Sequence, residues 1–473
     1  MATEPPDHPE EACGVFGVYA AGEPVSFSAF DGIYALQHRG QESAGIAVAD
    51  RGQITVVKNL GLVSSVFDER TLASLPGDIA IAHTRYSTAG DRGWHNAQPI
   101  FKMDGAYGIA IAHNGNLTNT GELALERVDS RSGRPSDTEI IASLMVSSLT
   151  KLRPETAEGV AEATREALSV LKGAFSLVML DGYRVIAARD PNGFRPLCLG
   201  ELPGRGWVVA SESPALDVIG AHLLREVEPG EIVVIDAEGI HAFPSETQIA
   251  PHLCIFEFVY FARPDAKLLG REVHGTRRKM GELLAKALPV EADMVMGVPD
   301  SGIPAAEGYA LASHIPYGQG LVKNRYIGRT FINPSNKERT DAIRRKLNVL
   351  EENVAGKKLV VVDDSIVRGS TTRSIVGLLK QAGAKEVHLR ISSPPYRWPC
   401  FYGIDTPNRP ELIAATHQID EIATELGADS IAYLALEDLR AAIGVEGGFC
   451  DACITGSYPE VLEEREWTTE ARA

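Results

Sequence analysis

Short runs of apolar residues separated by turns mark the first half of the chain. They have the length and the β-branched content of buried strands and are predicted at 14–19, 45–49, 79–83, 108–113, 176–180, 185–188, 207–210 and 231–235. Apolar residues at helical spacing predict helices over 138–152 and 154–171, with Thr138 and Pro154 as cap and first-turn residues. Many short strands with few helices indicate two stacked sheets with the helices outside.

After residue 251 the pattern changes to a regular alternation of strand, loop and helix. Apolar runs at 294–298, 359–362, 387–391 and 430–433 predict buried parallel strands, which is typical of a doubly wound sheet. We therefore predict two domains, over 13–245 and 250–460. The leader, residues 1–12, and the tail, residues 461–473, are acidic and too polar to build a core.

The composition is that of a globular protein, with 473 residues, 44% hydrophobic and 23% charged. The net charge of −17 argues against non-specific nucleic-acid binding. No apolar run approaches the roughly 20 residues that cross a bilayer, and no secretory signal is visible. We therefore expect a cytoplasmic protein with neither nucleic acid nor a membrane as partner.

The segment 360–372, VVVDDSIVRGSTT, combines the features of a sugar-phosphate site. Asp363 and Asp364 follow the predicted strand, at the sheet edge where ligands bind. A glycine and several hydroxyls then lead into a predicted helix, whose free N–H groups can hold a phosphate. Paired carboxylates beside such a cradle suit a sugar diol with Mg²⁺. The alternative is an ordinary strand–loop–helix unit. A Walker-type loop is excluded because its motif is absent.

This segment resembles the phosphoribosyl pyrophosphate (PRPP) loop of type I phosphoribosyltransferases. The resemblance implies that Asp363 and Asp364 bind ribose and Mg²⁺, with Ser301 as a further neighbour of the metal. It also implies that PRPP contacts the loop at Ser365, Arg368, Gly369, Ser370, Thr371 and Thr372. A basic segment that begins at Lys323 and includes Tyr326 would close over pyrophosphate and exclude water.

A second set of residues suits the hydrolysis of glutamine. If the leader were removed, the α-amine of Cys13, with a pKa near 8, could take the proton of its own thiol. The alternative for a lone cysteine is burial as a small apolar residue. Downstream, Arg85 offers a guanidinium for a carboxylate, Asn114 and Gly115 offer oxyanion donors, and Asp137 can hold an ammonium group.

Together with the segment QHRGQ at 37–41, these residues resemble the class II glutamine amidotransferases of the N-terminal nucleophile (Ntn) hydrolase fold, an αββα sandwich. The resemblance makes Cys13 the nucleophile after loss of the leader, with Asn114 and Gly115 as the oxyanion hole. It places Arg85 on the glutamine carboxylate and Asp137 on its amine. We expect His83, Tyr86 and His113 to shape the pocket.

Four of the six cysteines are candidate metal ligands. Cys254 lies near the predicted domain boundary, Cys400 follows a proline-rich turn, and Cys450 and Cys453 form a C-x-x-C pair. Four thiolates complete one tetrahedral metal site or one cubane cluster, and their spacing does not choose between zinc and iron. Four unrelated cysteines are the alternative. Cys198, in an apolar context, is expected in the core.

Joined in this order, the two halves resemble the glutamine PRPP amidotransferases, which begin purine synthesis. The resemblance implies an α/β and α+β protein, with an Ntn hydrolase sandwich before a type I phosphoribosyltransferase sheet. It implies that ammonia from glutamine displaces pyrophosphate from PRPP to give 5-phospho-β-D-ribosylamine. It also implies a [4Fe–4S] cluster on the four cysteines, inhibition by purine nucleotides and a homotetramer. Two alternatives are a class II amidotransferase with another acceptor and a PRPP-binding regulator without catalysis.

Overall fold

The computed structural model describes residues 13–86, 93–105, 107–127, 135–247, 250–324, 346–406 and 408–460. The strands of the first half are β1 (Gly14–Tyr19), β2 (Ser43–Asp50), β3 (Gln53–Leu60), β4 (Ile79–Arg85), β5 (Ile100–Asp104), β6 (Tyr107–Leu117), β7 (Gly173–Leu180), β8 (Val185–Arg189), β9 (Cys198–Leu202), β10 (Gly206–Ala210), β11 (His222–Glu226), β12 (Ile232–Asp236) and β13 (Gly239–Phe243). The helices are α1 (Ser26–Ala35), α2 (Val63–Val66), α3 (Glu69–Ala73), α4 (Thr120–Arg127), α5 (Asp137–Leu152), α6 (Ala157–Leu168) and α7 (Pro214–Asp217).

These strands form two stacked antiparallel sheets, in the orders β11-β9-β10-β1-β4-β2-β3 and β13-β12-β8-β7-β6-β5. Strand β1 is buried along its whole length because both faces of its sheet are covered. Val15 packs between the sheets, whereas Phe16 packs against α1 on the outer face. Helices α5 and α6 cover the outer face of the second sheet. The predicted αββα sandwich is confirmed.

Two predicted helix starts are wrong. Helix α5 is capped by Ser136, whose Oγ accepts a hydrogen bond from Glu139 N at 3.3 Å, while Glu139 Oε2 accepts one from Ser136 N at 2.9 Å. This reciprocal pair satisfies two N–H groups that a helix start leaves free. Thr138 is instead buried in the first turn. Pro154 lies outside α6, which is capped by Thr156.

The second half has strands β14 (Leu253–Cys254), β15 (Lys267–Leu268), β16 (Arg271–Glu272), β17 (Met294–Gly297), β18 (Leu321–Lys323), β19 (Leu347–Val349), β20 (Lys358–Asp363), β21 (Glu386–Ile391), β22 (Ser430–Tyr433) and β23 (Phe449–Cys450). Its helices are α8 (Val273–Ala287), α9 (Ile303–Ser313), α10 (Glu351–Val354), α11 (Ser370–Gln381), α12 (Ile413–Thr416), α13 (Ile419–Leu426), α14 (Leu436–Ile443) and α15 (Ala452–Thr455).

A parallel sheet in the order β17-β20-β21-β22 forms the centre of the second half. Alternate residues of β20 face opposite sides, so that Val360 and Val362 pack with α8 and α9, whereas Leu359 and Val361 pack with α11 and α13. Helices therefore cover both faces, as predicted for a doubly wound sheet. Short 3₁₀ turns occur at Gln37–Arg39, Trp94–Asn96 and Arg409–Glu411.

The second half meets the first at a π-helix and at β14, where Cys254 N donates to the backbone oxygen of Phe194 at 3.1 Å. The π-helix spans Glu257–Phe261. Such helices are rare in proteins, and those that occur are often found at functional sites. Strands β14 and β23 pair Cys254 with Cys450, which brings two cysteines that are distant in the sequence side by side. Over the described part of the chain, no helix combines the length and the apolarity needed to span a bilayer.

Candidate functional site

Cys13 and Arg85 meet at one end of the first sheet. Strands β1 and β4 are antiparallel neighbours that pair Gly14 with Thr84, so the residue before β1 lies beside the last residue of β4. Arg85 is buried, and its Nη1 makes no hydrogen bond with the described residues, although it lies 3.9 Å from Glu42 Oε2. Strand register therefore brings a thiol and a guanidinium with a spare donor to one pocket.

The surroundings of Cys13 disfavour its ionisation in the intact chain. Burial raises the pKa of the thiol to about 12, although Arg85 opposes the shift. The Sγ atom donates to the backbone oxygen of Tyr86 at 3.5 Å. Burial lowers the pKa of nearby His83 to about 3, and its Nε2 donates to the backbone oxygen of His113 at 3.0 Å. His83 is therefore a weak base, and the thiol needs another proton acceptor.

Asn114 and Gly115, in β6, have the properties of oxyanion donors. Asn114 is fully buried, and neither Nδ2 nor Oδ1 has a hydrogen-bond partner among the described residues. Buried side-chain amides are normally paired, so such an exception indicates a group reserved for a ligand. Gly115 has φ +149°, and a Cβ there would lie 2.0 Å from the backbone oxygen of Ala174. Only glycine fits at this position.

Asp137 begins α5 and is suited to bind a cation. Its Oδ1 accepts from Thr138 N at 2.7 Å, and its Oδ2 lies 3.6 Å from His113 Nδ1. Burial raises the pKa of this carboxyl, but His113 and the Thr138 hydrogen bonds outweigh that effect, so the pKa lies below its ordinary value. The carboxylate is therefore ionised at neutral pH and can pair with an ammonium group.

A buried ion-pair network, which the sequence did not predict, links the two halves. The fully buried Arg39 lies between Glu212 and Glu257, and Glu257 Oε1 lies 3.6 Å from Arg195 Nη1. The paired residues are 173 and 218 positions apart in the chain. Glu257 is a single acidic residue within the apolar run IFEFVYF, and this could have indicated a buried ion pair, because a buried carboxylate needs a partner. Glu212 and Arg195 carry no comparable signal.

In the second half, the acidic pair lies at the carboxyl end of β20. Asp363 and Asp364 are both 1% exposed. Asp364 N donates to Asp363 Oδ1 at 3.0 Å, and Ser365 Oγ donates to Asp364 Oδ1 at 2.6 Å. The second oxygen of Asp364 is buried and makes no hydrogen bond with the described residues. Burial lowers the pKa of neighbouring Arg277 to about 10, and Asp364 opposes the shift.

The loop that follows forms the start of α11. Gly369 caps this helix with φ +84°, and a Cβ there would lie 2.8 Å from Leu426 Cδ2, so glycine is required. No side chain caps the helix. Ser370, Thr371 and Thr372 form the first turn of this helix, and the first turn of a helix is where an anion can bind. Arg368 Nε donates to Glu411 Oε2 at 3.1 Å, at the edge of this cradle.

Lys323 and Ser301 lie at the same edge of the parallel sheet as the acidic pair. Strands β17 and β20 are parallel neighbours, so the loop after β17, which contains Ser301, lies beside the end of β20. Lys323 Nζ lies 2.6 Å from Asp300 Oδ2, within that loop. Tyr326 and the rest of the predicted closing segment lie outside the described residues.

The four candidate cysteine ligands line one cavity between the halves. The cavity is small, about 10 Å³, and is lined by Phe194, Arg195, Cys254, Cys400, Tyr402, Ile404, Cys450, Ala452, Cys453 and Tyr458. Burial raises the pKa of Cys254 to about 12 and those of Cys450 and Cys453 well above the ordinary value. Within the described ranges, no group of three His, Cys, Asp or Glu is placed to hold a single metal ion. Cys198 lies in the core, as predicted.

Comparison with known proteins identifies the family. A model of the glutamine amidotransferase domain matches residues 83–218, and one of the phosphoribosyl transferase domain matches residues 271–392. The amidophosphoribosyltransferase of Mycobacterium leprae is 50% identical over 467 residues, covering 95% of this chain and 82% of that protein. The Bacillus subtilis protein of the same name is 46% identical, covering 95% and 94%. The chain belongs to the amidophosphoribosyltransferase family.

A solved structure agrees with this assignment. The glutamine PRPP amidotransferase from B. subtilis, complexed with ADP and GMP, matches with a TM-score of 0.88 at 44% identity, covering 96% of this chain and 98% of that one. As an amidophosphoribosyltransferase, the chain is an enzyme that uses glutamine and PRPP to form 5-phospho-β-D-ribosylamine, the first step of purine biosynthesis. Family membership also indicates Mg²⁺ at the PRPP site. The two alternative functions are therefore wrong.

Proposed function

We propose that residues 13–245 are the glutaminase domain and that Cys13 is its nucleophile after residues 1–12 are removed. Its α-amine takes the thiol proton, Sγ attacks the glutamine amide, and Asn114 and Gly115 stabilise the oxyanion of the tetrahedral intermediate. Collapse of the intermediate releases ammonia and leaves a thioester, which water hydrolyses to glutamate. The observation that carries this proposal is the unpaired, buried amide of Asn114.

Substrate recognition in this domain is assigned to Arg85 and Asp137. The spare Nη1 donor of Arg85 suits the α-carboxylate, and the ionised Asp137 suits the α-ammonium group.

Replacement of Cys13 by alanine should abolish synthesis from glutamine and leave synthesis from ammonium chloride intact. N-terminal sequencing of active enzyme should begin at Cys13. Active material that retains the leader would refute the nucleophile assignment.

The domain over 250–460 is assigned to PRPP. Asp363 and Asp364 bind the ribose hydroxyls, with Mg²⁺ nearby and Ser301 as its further neighbour. The 5-phosphate is held by the amides and hydroxyls of Arg368, Gly369, Ser370, Thr371 and Thr372, and PRPP also contacts Ser365. Lys323 and Tyr326 belong to the loop that closes over pyrophosphate. Ammonia then attacks C1 of PRPP with inversion, and pyrophosphate leaves. The unpaired carboxylate oxygen of Asp364 beside the helix start of α11 supports this assignment.

The four cysteines are assigned to a [4Fe–4S] cluster, and the proposal is supported by the single cavity that all four of them line. A zinc ion would need sulfurs about 4 Å apart, and no such set is found in the described residues. In a cubane each thiolate binds a different iron, so the sulfurs stand further apart. When bound, the cluster would supply positive charge that lets four buried thiolates ionise. Iron, sulfide and zinc analysis of anaerobically purified enzyme tests this, and zinc without sulfide would refute it.

The proposals for regulation and assembly are drawn from the family resemblance. The B. subtilis structure was solved with ADP and GMP, and purine nucleotides are therefore proposed as inhibitors here. A cytoplasmic homotetramer is proposed on the family resemblance, and light scattering of the purified enzyme tests the tetramer. Binding of PRPP is proposed to stimulate glutaminase by ordering the segment around Arg85. Ammonia is proposed to pass along the junction at 257–264. Equal glutaminase rates with and without PRPP would refute the coupling.

A further inference from the structure

A turn of the PRPP half lies directly against the oxyanion strand of the glutaminase half. Asn116 Nδ2, two residues after Asn114, donates to the backbone oxygen of Phe401 at 2.9 Å. Gly403 contacts the neighbouring peptide, because a Cβ built on it would lie 3.0 Å from the carbonyl carbon of Gly115 and 3.2 Å from its Cα. The turn at 401–403 therefore contacts the backbone of the candidate oxyanion hole.

Strand pairing alone leaves this part of β6 supported on one side. The ladder between β5 and β6 ends at Ile111, whereas β7 pairs with β6 from Ala110 as far as Leu117. The donors at Asn114 and Gly115 thus lie beyond the last residue that β5 holds. Oxyanion donors work only within a narrow range, about 2.7–3.1 Å from the oxygen they stabilise. This strand needs further support to keep its donors in place.

The turn is itself held rigidly. Arg195, which is fully buried, donates from Nε and Nη2 to the backbone oxygen of Tyr402 at 3.0 and 2.7 Å. The ring of Tyr402 stacks on Phe194 with centroids 4.1 Å apart. Tyr402 N also donates to Cys400 Sγ at 3.3 Å, which ties the turn to the cysteine cavity. A rigid support of this kind can fix the position of the strand against which it packs.

We infer that the 401–403 turn of the PRPP half positions the oxyanion hole of the glutaminase half, with Asn116 and Gly403 as positioning residues. The inference rests on the proposed roles of Cys13, Asn114 and Gly115. It assigns to the second domain a direct part in glutamine hydrolysis, separate from the binding of PRPP. Neither positioning residue touches the substrate, so their loss should reduce turnover and spare glutamine binding.

The test compares two variants at this contact with a matched control. Gly403→Ala must displace the Gly115 peptide by a few tenths of an ångström, and Asn116→Asp keeps the side-chain shape but removes the donor. Each should lower the glutaminase kcat about tenfold or more, because small misplacements are costly in catalysis. The KM for glutamine should change less than about twofold, and synthesis from ammonium chloride should be unchanged. Gly356→Ala has a similar positive φ, +74°, with no atom within 4 Å of the added Cβ, and should keep the full kcat.

Two further measurements make the outcome decisive. In an enzyme that already carries Asn114→Ala, Gly403→Ala should lower the glutaminase kcat by a smaller factor, because both changes act on one oxyanion hole. A variant that loses glutaminase and ammonium-dependent synthesis together would refute the inference in favour of general structural damage. Unchanged kcat in both variants, with Cys13→Ala inactive on glutamine, would refute the inference and leave the proposed function standing. Glutaminase that survives in Cys13→Ala would refute the proposed function itself.

Discussion

The role of the N-terminal amine can be tested by adding one residue. A chain that begins at Cys13 carries an α-amine beside the thiol, whereas a chain with one extra alanine before Cys13 carries an amide there. In the intact chain, where an amide likewise precedes the thiol, burial raises the thiol pKa to about 12, and we expect the same direction in the extended chain. At pH 8 a thiol of that pKa is about 10⁻⁴ ionised, whereas one near its ordinary pKa of about 8.5 is roughly one-quarter ionised. The extra alanine should therefore reduce the reactive thiolate, and with it glutaminase kcat, by about 10³-fold.

Timed alkylation of Cys13 by iodoacetamide, followed by peptide mass spectrometry, measures the thiolate directly. In the extended chain the alkylation rate should rise about tenfold per pH unit up to pH 10, because the thiol pKa lies above that range. In the chain that begins at Cys13 the rate should level off above about pH 9.5, once a thiol with a pKa of about 8.5 is almost fully ionised. Synthesis from ammonium chloride is the internal control and should be equal in both chains. Equal alkylation and equal glutaminase rates would refute the reasoning.

Three further predictions concern the junction, the PRPP site and the cysteine cavity. Glu257→Gln leaves two buried guanidinium groups without their shared carboxylate. It should lower the free energy of unfolding by about 3 kcal/mol and the thermal midpoint by about 5 °C. Glu425→Gln, at an exposed ion pair, should shift the midpoint by less than about 1 °C. Asp364→Asn should raise the KM for PRPP at least about tenfold with ammonium as donor, while glutaminase measured without PRPP stays unchanged. Cys453→Ser should lose bound iron on elemental analysis, whereas Cys198→Ser should retain it.

Strands that are short apolar runs could be predicted from the sequence, and β20 is such a run because it is buried on both faces. The prediction at 430–433 coincides with β22, and the one at 359–362 lies within β20. The prediction for β6 stopped at residue 113, whereas the strand continues to Leu117. Asn114 and Gly115 were predicted as site residues but were left out of the predicted strand, because a polar side chain and a glycine interrupt the apolar pattern there. Functional residues break local rules, so the pattern fails at the site.

Individual residues of the candidate site were predicted from the sequence, but the long-range contacts that link them were not. Cys13, Arg85 and Asn114 were found because each residue type suits one step of glutamine hydrolysis. The network of Arg39, Glu212 and Glu257 was missed because its members are up to 218 positions apart and only the fold brings them together. The helix caps were missed for a local reason, since several residues near each helix start can serve as a cap.

The buried charges at the junction indicate how the two sites are coupled. Arg39 comes from the glutaminase half and Glu257 from the PRPP half, so separating the halves would leave Glu257 without this partner. Glu257 lies on the π-helix, and Arg277 donates to the backbone oxygens of Phe258 and Ala262, within and just after that helix, each at 2.8 Å. Arg277 also interacts electrostatically with Asp364, the carboxylate proposed to bind ribose and Mg²⁺. If PRPP binds beside Asp364 as proposed, it changes the charge that acts on Arg277, and Arg277 holds the turn that carries Glu257. These contacts are the route by which we propose that the glutaminase half senses the PRPP site.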